Sequence, residues 1–216
     1  MMKGMLIKDF SLLKGQKQFF MIAIMFAFIF LFLTDMAGFG VSYLIVMFII
    51  FTLSTIAYDE YDNGNAFLFT LPISRKRYVQ EKYVFCLVIS AVVCLVDTAL
   101  ILVMNYVKDG TDMKMLLITV AAACAVGIVM MAVMIPLQLK FGSEKRQMAM
   151  IAGFVIFFFL LYVGKKLVDR FGVPSFINKI GSLPTGYVAG IIAVFVIVMT
   201  LVSYWISVGI MEKKEL

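Results

Sequence analysis

Asp97 is the only charged side chain well inside an apolar stretch of this 216-residue chain. Three thiols, Cys86, Cys94 and Cys124, are the other groups at such depth with chemistry to offer. A carboxylate at the centre of a bilayer costs about 2.5–3.5 kcal/mol on insertion scales, so it must face protein or water. Two readings stay open for it: a polar point on a translocation path that attracts a cationic group, or a structural hydrogen bond to a neighbouring helix. Cys94 and Ile101 share its helical face. The thiols lack CxxC spacing and read as small buried hydrophobes. The sequence has no histidine, which removes an imidazole base and histidine-ligated zinc. An aspartyl pair at depth would need a second acid. The phosphate-cradling pattern GxxxxGK followed by Ser or Thr is absent. Gly181–Gly186 comes nearest, and Tyr187 stands where lysine is required. The expectation is a chain without catalytic residues, metal ligands or a cofactor of its own, and without ATPase activity.

The elements that carry these residues are membrane helices. Hydrophobic residues make up 63% of the chain, charged residues 15%, and the mean hydropathy is +1.05, far from the balance of soluble domains. The whole of 1–216 therefore reads as a single transmembrane domain, all-α. Six apolar runs can be laid down: Phe19–Met36, Val41–Ala57, Tyr83–Tyr106, Met115–Leu139, Met148–Gly164 and Tyr187–Met211. The first, second and fifth sit at the short end of the roughly 17–25 residues that a span requires. Thirteen Lys and Arg fall in the N-terminal tail, the 58–82 and 140–147 loops and the C-terminal tail, against six in the alternate loops. The positive-inside rule then places both termini in the cytoplasm. The net charge of +6 is accordingly a topology signal rather than a nucleic-acid footprint. Ala123-xxx-Gly127 and Gly186-xxx-Gly190 have the small-residue spacing that lets helix backbones approach.

Two polar stretches have texture of their own. Residues 1–18 space Leu6, Phe10 and Leu13 at i, i+4, i+7, with Lys3, Lys8, Lys14 and Lys17 between them. This pattern predicts an amphipathic interfacial helix whose lysines meet anionic headgroups. The 165–186 stretch is the longest outer loop, with short helical pieces expected at the interface. Tyr58–Lys82 is the most telling interval. It opens on acids (Asp59, Glu60, Asp62), passes through the apolar knot Ala66–Phe69 and the turn Leu71-Pro72, and ends on Arg75-Lys76-Arg77. Ser74 is placed as a helix N-cap. A helix from Arg75 to Tyr106 would be about 48 Å long, beyond the ~30 Å hydrocarbon core, so its first turns should protrude into the cytoplasm. An apolar knob among charges there suits a socket on another protein.

Tyr58-Asp59-Glu60, Asn65, Thr70–Arg75, Tyr78-Val79 and Lys82-Tyr83 resemble the cytoplasmic signature of small bacterial ABC type-2 transporter permeases. Gly4–Phe10 is similar to their N-terminal amphipathic helix, and the length and six-span layout agree. General similarity within that family points toward exporters of amphipathic peptides of the phenol-soluble modulin type. The resemblance implies two permease subunits, identical or paralogous, above two separate ATPase subunits that bind ATP and Mg. It further implies that the loop after the second span forms a coupling helix entering a groove on the ATPase, with that role falling to Asp59, Glu60, Asn65, Phe67, Leu71, Pro72 and Arg75. The expected function is outward transport of an amphipathic or hydrophobic substrate, such as a peptide, across a bacterial plasma membrane. An ion-coupled secondary transporter remains an alternative, although it would ordinarily carry more intramembrane charges than Asp97. A non-transporting membrane scaffold or sensor module is a second.

Overall fold

The computed structural model describes residues 2–33, 37–61, 64–70, 73–107, 113–142, 145–170 and 185–214. Among these the chain is helical throughout, with no strand: α1 (Met2–Gly15), α2 (Lys17–Leu33), α3 (Ala37–Glu60), α4 (Gly64–Thr70), α5 (Arg75–Val107), α6 (Met113–Phe141), α7 (Arg146–Arg170) and α8 (Thr185–Lys213). The all-α membrane architecture agrees with the sequence; five of the six apolar runs fall wholly within a helix of their own, and the first lies in α2 as far as Leu33, with 34–36 outside the described residues. Gly38–Glu60, Arg75–Tyr106, Leu116–Phe141 and Ala189–Lys213 are long and apolar enough to cross a bilayer. α1 and α2 qualify only as a pair, bent by 66°. In α7 the continuous apolar segment among the described side chains is Met150–Phe159. α2 has 17 residues, about 25 Å of helix against a core of ~30 Å.

The bend falls at Gly15-Gln16, so α1 stops short of Gln18, the end expected for an interfacial helix. There the Gln16 N–H donates to Leu13 O at 2.9 Å, and Phe19 N–H donates to Gln16 O at 3.0 Å. α7 runs on through Lys165 to Arg170, converting the start of the expected outer loop into helix. Residues 171–184, where interfacial helical pieces were expected, lie outside the described residues.

α6 is the central helix, packed against α3, α5, α7 and α8, while α3 also packs on α2 and α5. Gly127 explains how α3 comes so close. A Cβ at that position would lie 2.5 Å from Ile45 Cγ2, well inside contact distance. A Cβ at Gly190 would meet no atom within 4 Å among the described residues. Gly127→Ala should therefore overpack the α3–α6 seam by about 1–3 kcal/mol and lower the melting temperature of the purified protein. Gly190→Ala should leave it unchanged, and a thermal melt in detergent reads both. Phenylalanines lock α2 onto α3, with Phe20 within 4.9 Å of Phe48 and 4.6 Å of Phe51 between ring centroids.

The polar helix ends gather at one end of the bundle. α5 starts at a capped turn, where Arg77 N–H donates to Ser74 Oγ at 3.3 Å and Tyr78 N–H to Ser74 O at 3.1 Å. Its 33 residues make about 50 Å of helix, so the first turns stand clear of a ~30 Å core. α6 ends at Gly142, whose φ of +73° suits a residue without Cβ and whose N–H closes on Gln138 O at 3.0 Å.

Candidate functional site

Beneath α4, at that polar end, lies a buried cluster of charges drawn from three helices. On α5, Tyr78, Glu81 and Lys82 share a face at i, i+3, i+4 spacing and are 1%, 0% and 1% exposed. Lys82 Nζ lies 2.5 Å from Asp9 Oδ2 of α1, 2.7 Å from Asp59 Oδ2 of α3 and 3.6 Å from Glu81 Oε2. Lys8 of α1 bridges the same acids, hydrogen-bonding to Asp59 Oδ1 and lying 3.4 Å from Asp9 Oδ1. The Tyr78 hydroxyl donates to Asp59 Oδ2 at 3.2 Å. Desolvating such charges costs several kcal/mol each, and the cost is offset only when every charge is closely paired. Lys82, held between two carboxylates, meets that condition. The cluster thus ties α1, the end of α3 and the start of α5 into one joint.

α4 stands on this joint. Its first residue, Gly64, sits so close to the end of α3 that a Cβ would come within 2.6 Å of the Asp59 carbonyl oxygen. At its other end the Phe69 ring meets Tyr78 edge-on, with centroids 5.8 Å apart. Leu68, Phe69 and Ile73 pack on the core. A displacement of α4 therefore bears directly on Tyr78, and through its hydroxyl on Asp59 and both lysines.

The residues expected to contact a partner divide in this structure. Asp59 is buried in the cluster. Glu60 accepts from Lys214 Nζ at 2.6 Å, and the same ammonium donates to Leu139 O at 3.0 Å, clamping the ends of α3, α6 and α8. Arg75 Nη1 donates to Met211 O at 3.2 Å and Glu212 O at 2.6 Å. It caps the C-terminus of α8, where a cation is favoured. These three hold helix ends together. Asn65 and Phe67 lie on α4, and their side chains are outside the described residues, as are Leu71 and Pro72 entirely. On α1, Lys3 and Lys14 are exposed, as is Lys17 at the start of α2. Lys8 is instead committed to Asp9 and Asp59, and Phe10 meets Phe85 edge-on at 5.3 Å. Asp97 lies fifteen residues beyond Lys82 on α5, about 22 Å along the axis, and does not join the cluster. It is fully buried, and neither carboxylate oxygen has a hydrogen-bond partner among the described residues.

A second polar contact, one step from Lys82, went unread in the sequence. Pro136 in α6 has no N–H, which leaves the carbonyl of Ala132 without its helical donor. Ser203 Oγ of α8 donates to that carbonyl. Tyr83 OH lies 2.6 Å from Ser203 Oγ and 2.8 Å from Ser207 Oγ. A proline in a membrane helix is tolerated where a neighbouring hydroxyl satisfies the freed carbonyl in this way. The signal was present as Pro136 inside an apolar run and serines at i, i+4 in the last one. The result joins α5, α6 and α8 just below the charge cluster.

Among the described residues no group of three His, Cys, Asp or Glu side chains could hold a metal ion. What the site can do is mechanical: it links a short surface helix to four long ones. No curated protein and no solved structure matches the chain. A family model described as ABC-2 family transporter protein matches residues 4–212, nearly the full length and including α1, α4, the charge cluster and Asp97. The chain therefore belongs to the ABC-2 transporter family, as its multi-pass membrane component and not its ATPase.

Proposed function

We propose that the chain is the permease subunit of an ABC exporter and that α4 is its coupling helix. ATP and Mg are bound by separate ATPase subunits, which family membership implies as partners. Two permease copies, or one copy and a paralogue, form the membrane unit in a bacterial plasma membrane, with six passes and both termini in the cytoplasm. The observation that carries this reading is the stacking of α4, through Phe69 and Tyr78, on a charge joint shared by α1, α3 and α5. Closure of the ATPases pushes α4, and the joint passes the movement into α5 and, through Tyr83, to α6 and α8. The substrate class is an amphipathic or hydrophobic molecule, with a peptide as the preferred case. Asp97 supplies a point of negative charge or polarity on the path.

The test is transport in inverted vesicles that contain the permease with its ATPase. An amphipathic helical peptide should accumulate only with hydrolysable ATP and should raise the rate of ATP hydrolysis. Accumulation driven by an ion gradient without ATP would establish a secondary transporter instead. Absence of both accumulation and stimulation would favour a scaffold.

A further inference from the structure

Between α6, α7 and α8 runs an open groove of about 350 Å³, lined by Val133, Pro136, Leu137, Ile156, Val202 and Ile206 among others, with Lys140 at one end. We infer that this groove holds one acyl chain of an anionic phospholipid from the leaflet on the α4 side, with the lipid headgroup at Lys140.

Three observations carry the assignment. The first is shape. On α6 the lining extends from Ala132 to Lys140, eight residue steps or about 12 Å, so the groove runs lengthwise along the helix, as an extended acyl chain does. The second is chemistry. The walls are apolar apart from Ser203, whose hydroxyl is already engaged with Ala132 O and Tyr83, so nothing along the length rewards a polar occupant. The third is charge. Lys140 is exposed at the mouth and makes no ion pair among the described residues. Lys145 and Lys213 are exposed at the adjoining ends of α7 and α8, with Glu212 as the acid beside them. Lys214 is consumed by Glu60. Among the described residues the rim thus carries more cations than acids, above an apolar slot.

The chain carries its own reporter. Trp205 is its only tryptophan, is 75% exposed, and stands beside Ile206 and three residues from Val202 on α8. The full chain is reconstituted in phosphatidylcholine vesicles, and quenching of Trp205 by chain-brominated phosphatidylglycerol is compared with quenching by chain-brominated phosphatidylcholine. A site using Lys140 should prefer the anionic lipid about fivefold. Lys140→Gln should abolish the preference and Lys140→Arg should keep it. Equal quenching by both lipids, or a preference untouched by Lys140→Gln, would overturn the assignment. So would weak quenching by either lipid, which would mean that a second copy covers the groove.

Discussion

Replacing Lys82 with methionine should destabilise the protein by about 3–5 kcal/mol, the cost of stripping a buried charge of its partner. Asp9 and Asp59 lie within 2.7 Å of the Lys82 ammonium and are themselves 0% and 8% exposed. Without Lys82 they face one another with only the half-exposed Lys8 between them. The effect should appear as a fall of about 6–20 °C in the melting temperature of the detergent-purified chain, at roughly 2–4 °C per kcal/mol for a chain of this size. Lys8→Gln should cost far less, since its side chain is 36% exposed and water can substitute for it. The decisive comparison is the quadruple variant Asp9→Asn, Asp59→Asn, Glu81→Gln, Lys82→Met, which neutralises the three acids around Lys82 together with it. Removing a buried ion group as a whole is much milder than removing one partner, so the quadruple variant should recover most of the lost stability. A Lys82→Met protein as stable as Lys8→Gln would show that the cluster does not hold the helices.

The largest functional effect is expected from Phe67→Asp combined with Leu71→Asp. A carboxylate at position 67 in the apolar knot and another at position 71, one residue past the end of α4 in the sequence, would have to be desolvated in any protein socket, at a cost of several kcal/mol. Co-purification of an ATPase and ATP-driven export should both be lost. Membrane insertion should be intact, because neither position lies in a spanning run. Unchanged ATPase capture by this double variant would remove α4 from the coupling role.

Much of this arrangement could be read in advance because it rests on local rules. The length of the apolar runs gives the helices, Ser74 gives the start of α5, and the small residue at Gly127 gives a close helix crossing. The site itself was legible only in outline. The 58–82 interval stood out as a docking surface, yet Asp59, Glu60 and Glu81 turn inward. Lys82 meets Asp9 across 73 positions of sequence, and no periodicity within either segment signals that pairing. The lysines of α1 all read alike as headgroup contacts, while the fold selects Lys8 for Asp59. Arg75 reads as surface charge until the end of α8 is seen beside it, with unsatisfied carbonyls to cap. Pro136 and Ser203 have meaning only together, because the proline creates the need that the serine meets.

Asp97 is the point at which local and tertiary readings part most sharply. Its neighbours on α5 are apolar, and among the described residues no group on another helix hydrogen-bonds to it. A place on the translocation path is the role we propose for it.

The central claim is that α4 is where the motor attaches. A photo-reactive amino acid placed in turn at positions 66, 67 and 70 of α4, and at position 39 near the opposite end of α3, tests it in intact cells. Mass spectrometry of the adducts should identify an ATPase with phosphate-binding motifs from the α4 positions and none from position 39. Absence of an ATPase adduct from all three α4 positions, or an equal yield from position 39, would contradict the account.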